Sequence, residues 1–268
     1  MIPLLYINWN VSPEVLDLGG FSIRWYGLLF ALSFFFGYLI MLRFFRKEEI
    51  PVRLLDALTT YMIIGTIVGA RLGHCFFYEP DYYLAHPMKI LMVWEGGLAS
   101  HGAAIGIILA LVIYSKVYHK PFLWIIDRIV IVVALSGFLI RLGNLMNSEI
   151  FGVPTVLPWG FLFLRAANPA EAIEPRHPTQ LYEGLSYLLI FFLLLWLYYQ
   201  RNGKPKPGLL FGLFLVLIFT VRFLIEFVKE PQVTFEASMT LNMGQLLSIP
   251  FILAGCGLII YALRQKNI

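Results

Sequence analysis

The sequence predicts an all-α, polytopic membrane protein: about seven transmembrane helices, a small outer (periplasmic) head, the N-terminus outside and the C-terminus cytoplasmic. Three observations carry that expectation. Of 268 residues, 59% are hydrophobic and 13% charged, with mean hydropathy +0.78, against about 25% charged in soluble domains. The apolar residues fall into runs of near-spanning length, where a bilayer core about 30 Å thick needs roughly 20 apolar residues per helix. Basic residues gather in alternate loops. The chain reads as a single membrane-embedded domain, residues 1–268, with the outer head at about 143–179.

The apolar runs lie at roughly 22–43, 54–77, 97–117, 122–142, 180–200, 208–228 and 244–263. Backbone polar groups in lipid must satisfy one another, which makes each run a helix. The alternating ten-residue segments of a membrane barrel do not occur. Arg43, Arg46, Lys47 and Arg53 follow the first run, Lys116 and Lys120 the third, Arg201, Lys204 and Lys206 the fifth, and Arg264 and Lys266 the last. By the positive-inside rule these segments face the cytoplasm. The first Lys or Arg is Arg24, so the basic region of a cleaved signal peptide is not expected. The intervening outer segments are longer. One, at about 74–96, carries Tyr78, Pro80, Tyr82, Tyr83 and Pro87; the other is the head.

Gly65, Gly69 and Gly73 are spaced by four, as are Gly102 and Gly106, a pattern that lets helices approach closely in lipid. Cys75 and Cys256 lie in apolar runs and match no metal spacing; buried free thiols are expected. The net charge of +4 serves topology. No basic stripe interleaved with aromatics offers a nucleic-acid surface, and the five scattered histidines predict no metal site.

Against this background several polar residues are out of place. Arg71 and Arg141 end the second and fourth runs at the outer side. Arg222 lies inside the sixth, about 20 Å from its start at Gly208 by the helical rise. A charge in hydrocarbon costs about 2.5–3.5 kcal/mol on insertion scales, so such residues face a partner or a cavity. Glu226 is four residues beyond Arg222, on the same helix face. Arg141 and Asn144 share a face, with Asn147, Glu149 and Gly152 following into the head. His101 opens the third run at the same depth, and its imidazole suits a general base. Arg176-His177-Pro178-Thr179-Gln180-Leu181-Tyr182-Glu183 opens the fifth, Lys229, Glu230 and Pro231 close the sixth, and Gln245 opens the seventh. Structural readings stand beside these: an ion pair for Arg222, a snorkelling arginine for Arg141, a helix cap for the 176–183 segment.

Arginines with amide side chains in a lipid-open cavity suit a phosphate, which guanidinium groups bind bidentately. A transporter or flippase for an anionic lipid or solute, and a non-catalytic lipid-binding scaffold, are alternatives. A translocation path needs polar groups at both depths, whereas these lie on one side.

The segments IRWYG at 23–27, GGLASHG at 96–102, RLGNLMNSEIFG at 141–152, RHPTQLYE at 176–183, RFLIEF at 222–227 and MGQLLSIP at 243–250 resemble, in order and over essentially the whole chain, the prolipoprotein diacylglyceryl transferases. The resemblance implies a membrane enzyme of the bacterial inner (cytoplasmic) membrane, with its active site toward the periplasm and no cofactor. Its substrates would be phosphatidylglycerol and a preprolipoprotein signal peptide bearing a lipobox cysteine. The diacylglyceryl group would pass to that cysteine as a thioether, releasing glycerol phosphate. It implies Arg141 and Arg222 as the essential charged pair, with Tyr26, His101, Asn144 and Glu149 around the headgroup. On this reading the arginines neutralise the phosphate and His101 helps deprotonate the thiol. Asn144, Gln180 and Tyr26 orient the glycerol, and Glu149 and Glu226 position the arginines. Asn147 and Gly152 complete the expected substrate-binding set. Ile140, Leu145, Ile218 and Ala99-Ser100 depart from the family pattern without removing a charged group.

Overall fold

The computed structural model describes residues 6–19, 22–230 and 239–265. Pro231 and Lys266 lie outside them. The chain is mostly helical, and its contacts divide it into two compact units, Met1–Ile40 with Asp127–Ile268, and Met41–Ile126.

Among the described residues six helices are long and apolar enough to cross a membrane: α1 (Trp25–Lys47), α2 (Val52–Phe77), α4 (Ser100–Val117), α5 (Phe122–Met146), α6 (Thr179–Gln200) and α8 (Met243–Arg264). A short helix α3 (Pro80–Ala85) follows α2. The sixth apolar run forms α7 (Leu209–Ile225), with 17 residues. At about 1.5 Å per residue it spans about 25 Å, and it stops three residues short of the expected end at 228. There the backbone leaves the helix to pair with the head: Val153 N–H donates to Val228 O at 3.0 Å and Glu230 N–H to Phe151 O at 3.3 Å.

In the smaller unit α2 and α4 run antiparallel, glycine to glycine. A Cβ on Gly73 would come within 2.6 Å of Gly102 Cα, and one on Gly65 within 2.7 Å of Gly106 O. Both glycine series named from the sequence therefore face each other, where packing rather than hydrophobicity drives association. Arg71 is buried and closes the segment between α2 and α4. Its guanidinium donates to Ile90 O at 3.0 Å, Gly96 O at 2.5 Å and Lys89 O, and lies over the Tyr83 ring at 5.0 Å. These carbonyls belong to the 3-10 turn Pro87–Leu91 and to Gly96, which follows the 3-10 turn Val93–Glu95.

In the larger unit Asp127, fully buried, accepts from the N–H groups of Gly208 at 2.7 Å and Phe211 at 2.8 Å. It thus satisfies two of the orphan donors at the start of α7. Gly212 packs on Gly255, which brings α7 against α8. Cys75 is buried as expected, but Cys256 is exposed; both are free thiols. Cys256 sits on the outward side of α8, one residue beyond the Gly255 that makes the helix contact, and an apolar run alone does not distinguish a lipid-facing thiol from a core one.

Four short strands occur among the described residues. β1 (Ile7–Trp9) pairs in parallel with β4 (Phe161–Phe163), and β2 (Glu14–Asp17) pairs antiparallel with β3 (Ser22–Arg24), which runs into α1. The head thus recruits the N-terminal segment as well as the expected 143–179. Its core is Leu145, Phe151, Phe161 and Phe163, with Trp9 against them. The Trp9 indole donates to Leu145 O at 2.9 Å, fixing the head onto the end of α5.

Candidate active site

The last turns of α5 carry Arg141 and Asn144 one turn apart, and the chain then folds back on itself. Ser148 and Ile150 both take positive φ, 52° and 58°. For a β-branched residue such as Ile150 this backbone is strained. The reversal returns Glu149 to the helix end: Glu149 N–H donates to Asn144 O at 3.1 Å. Arg141 Nη1 donates to Asn144 Oδ1 at 3.2 Å, and Asn144 Nδ2 donates to Glu149 Oε1 at 2.8 Å. Asn147 Nδ2 reaches the same carboxylate oxygen at 3.2 Å. Glu149 therefore orients Arg141 through an amide relay.

The start of α6 supplies the other side. Gln180 Nε2 donates to Glu149 O at 2.7 Å and Thr179 Oγ1 to Ile150 O at 2.9 Å, which holds the strained turn. Glu183, only 1% exposed, forms an ion pair with Arg141 Nε. Gln180 and Glu183, placed on one helix face by their spacing, thus serve different partners. Tyr187, one turn further along α6, accepts from Arg141 and faces Glu183 Oε2 at 3.5 Å. The charge of Arg222 reaches the same phenol.

Arg222, in the last turn of α7, is held more loosely, with Nε 3.8 Å from Glu226 Oε1 and its side chain 36% exposed. The closer cation at Glu226 is Lys229, at 3.1 Å, and Lys229 also reaches Glu183 at 3.4 Å. Asn242, the N-cap of α8 in a capping box with Gln245, donates to Glu226 Oε2 at 3.0 Å. Gly244 lets that helix start lie against the carboxylate: a Cβ there would meet Glu226 Cδ at 2.5 Å.

Tyr26 opens α1 and lies against Gly143, where a Cβ would meet its ring at 2.8 Å. It lines an open cleft of about 460 Å³ with Ser22, Ile23, Arg24, Gly27, Leu28 and Asn147. Gly152 sits where the head chain crosses 228–230 and 176–177: its N–H donates to His177 O at 2.8 Å, and a Cβ would meet His177 Cβ at 2.7 Å. Arg176 is buried beside it, donating to Glu230 Oε2 at 2.8 Å over the Phe151 ring. Burial in the head lowers the His177 imidazole below its ordinary pKa of 6.5. Asn147 Oδ1, Ser148 Oγ and Gln180 Oε1 are buried and have no hydrogen-bond partner among the described residues, leaving acceptors around Glu149 for a ligand that donates. His101 belongs to the other unit, exposed in the first turn of α4. Among the described residues no cluster of His, Cys, Asp or Glu is placed to hold a metal ion.

Arg141, Asn144, Asn147, Glu149, Gln180, Arg222 and Glu226 therefore share one network, and Tyr26 borders it. Sequence reasoning did not give Glu183, Tyr187, Lys229 or Asn242 a part in it. Glu183 and Tyr187 are four residues apart on a largely apolar helix. That spacing signals a buried polar face, but it does not name the partners.

Residues 13–261 match the family model described as prolipoprotein diacylglyceryl transferase. The chain is 49% identical over 259 residues to the phosphatidylglycerol–prolipoprotein diacylglyceryl transferase of Tolumonas auensis, covering 96% of this chain and 98% of the relative. It is 48% identical to that of Porphyromonas gingivalis (97% and 96% covered) and 47% to that of Chloroherpeton thalassium (98% and 97%). With a family match over nearly its full length and relatives this similar from end to end, the chain belongs to the prolipoprotein diacylglyceryl transferase family.

Proposed function

We propose that this chain transfers the diacylglyceryl group of phosphatidylglycerol to the lipobox cysteine of a preprolipoprotein signal peptide, the first step of bacterial lipoprotein maturation. The observation that carries the site assignment is the convergence of Arg141 and Arg222, from two different helices, on one buried carboxylate–lysine network. Membership of the family supports the two substrates.

In this reaction the cysteine sulfur attacks the glyceryl carbon that carries the phosphate. The carbon–oxygen bond breaks, its electron pair leaves on glycerol phosphate, and the thiol proton passes to a base. Arg141 and Arg222 bind the phosphate and stabilise charge growing on the departing oxygen. Guanidinium groups suit that task because they remain charged and present paired donors. Asn144 sets the Arg141 guanidinium through the Glu149 relay. Gln180, Asn147 and Tyr26 orient the glycerol; the unpartnered oxygens of Gln180 and Asn147 fit its hydroxyl donors. Gly152 contributes by keeping the head chain close to the turn, and Glu226 positions Arg222. His101 is the base.

The enzyme lies in the bacterial inner membrane as a single domain, its N-terminus outside and C-terminus cytoplasmic, with the shorter α7 added to the six long helices to make seven spans and the site toward the periplasm. The alternating basic loops support this orientation.

Reconstitution with phosphatidylglycerol and a lipobox peptide tests the reaction. The expected result is a mass gain of one diacylglyceryl unit on the cysteine; folded protein giving no shift overturns the proposal. Replacing His101 with Gln should remove the acid limb of the rate–pH profile, and an unchanged profile assigns His101 to structure.

A further inference from the structure

Lys229 is given no part in the reaction above, and its surroundings are unusual for a lysine. Its side chain is 6% exposed, and lysines are almost never fully buried unless paired. Its backbone is fixed from both sides. Residue 229 bridges Gly152 across the head, while Val228 O and Glu230 N–H hold the chain on either flank. The ammonium is thereby delivered between two carboxylates, 3.4 Å from Glu183 and 3.1 Å from Glu226. These same carboxylates are the partners of Arg141 and Arg222.

The charge balance follows. Without Lys229, Glu183 and Glu226 would neutralise the two arginines one for one. With it, the ion-paired set holds three positive charges against two negative. Glu149, joined through the Asn144 amide, brings the wider cluster to neutrality with Lys229 present and to a net negative charge without it. A singly anionic phosphodiester is accepted far more readily by the first arrangement, since the low dielectric around buried groups magnifies every uncompensated charge.

We infer that Lys229 is a positioning residue for the anionic lipid: by sharing Glu183 and Glu226 it leaves Arg141 and Arg222 with positive charge to spend on a phosphate. This rests on the transferase reading. It distinguishes Lys229 from a simple structural lysine, whose removal would lower stability but leave the folded enzyme's handling of phosphatidylglycerol intact.

The test compares K229M, K229R, E226Q and K229M/E226Q in vesicles containing phosphatidylglycerol, with the lipobox peptide saturating and rates expressed per folded molecule. Transfer by the unmodified protein establishes the reaction itself, so failure there is separate from failure of this inference. K229M should raise KM for phosphatidylglycerol about tenfold or more, in line with the loss of one member of a buried ion pair. K229R should remain within about threefold, because it keeps the charge. In the E226Q background, where one carboxylate is already neutral, adding K229M should have a distinctly smaller effect. If K229M alone does not fold, the double variant against E226Q decides: a KM raised tenfold or more there overturns the inference. So does K229M with an unchanged KM, K229R as impaired as K229M, or an equal effect of K229M in both backgrounds.

Discussion

Glu183→Gln is the sharpest single test of the buried network. The carboxylate is 1% exposed and carries both Arg141 and Lys229. Glutamine keeps the shape but offers one acceptor, and its amide N–H₂ faces a donor wherever it turns. The three cations of the ion-paired set, Arg141, Arg222 and Lys229, are then left with Glu226 as its one carboxylate. Breaking a buried pair by removing one partner costs about 3–5 kcal/mol. The lower end applies, since Arg141 keeps Asn144 at 3.2 Å and Lys229 keeps Glu226 at 3.1 Å. A loss of about 3 kcal/mol corresponds to a fall in Tm of about 6–12 °C, taking roughly 2–4 °C per kcal/mol for a chain of this size. If about half that energy is expressed where Arg141 meets the phosphate, transfer slows about tenfold. Thermal unfolding in detergent, followed by transfer assays on the folded fraction, reads both quantities. A variant with Tm within about 1 °C of the parent and undiminished transfer would refute the network as drawn.

Two further outcomes follow from the packing and the head. Gly69→Leu places a side chain where even a Cβ would lie 2.8 Å from Gly106 Cα. Backbone cannot give way cheaply, so destabilisation of about 1–3 kcal/mol is expected, seen as a lower Tm; an unchanged Tm contradicts the glycine contact. His177 has a folded-state pKa below its ordinary 6.5 because burial disfavours the cation. The stability linked to it is therefore complete above pH 6.5 and lost as pH falls through the lower folded value. His177→Gln should flatten the stability–pH curve on that acidic side, and an identical slope in both proteins removes His177 as its source.

The spans were legible because lipid imposes one requirement on every segment: its backbone bonds must close internally over a fixed thickness. The runs expected at 122–142 and 180–200 become Phe122–Met146 and Thr179–Gln200. Where the ends moved, polar chemistry moved them. Beyond Glu226 the backbone groups of Val228 and Glu230 pair with Val153 and Phe151 of the head, so α7 stops at Ile225. Local spacing also found the Arg141–Asn144 face. Pairings across long separations were not legible. Nothing in Ile7–Trp9 announces Phe161–Phe163 as its partner, and three-residue strands carry too little pattern to be read. Asp127 was passed over for the same reason: its partners, Gly208 N–H and Phe211 N–H, are about eighty residues away. The candidate site was half visible. Its arginines and amides stood out against an apolar chain, whereas the carboxylate and lysine that set their charge looked like ordinary helix ends.

Those helix ends give the site an electrostatic logic of its own. The C-terminus of a helix carries partial negative charge and the N-terminus partial positive charge. Arg222 lies in the last turn of α7, where a cation is favoured. Glu226 faces the first turn of α8, touching Gly244 and accepting from Asn242, where an anion is favoured. Each member of this loosely held pair is thus stabilised by a helix end as well as by the other. Such support is worth roughly 0.3–1 kcal/mol per charge, and up to about 2 where it is partly buried. That is enough to offset much of the insertion cost of a charge in the membrane. It also means that Arg222 does not need a tight carboxylate to remain in place. A guanidinium at 3.8 Å from its partner and 36% exposed keeps donors free for a phosphate, whereas Arg141, held by Glu183, Asn144 and Tyr187, is fixed before any ligand arrives. The two arginines are therefore unequal: in the proposed phosphate clamp Arg141 would be the rigid half and Arg222 the half that closes on the lipid.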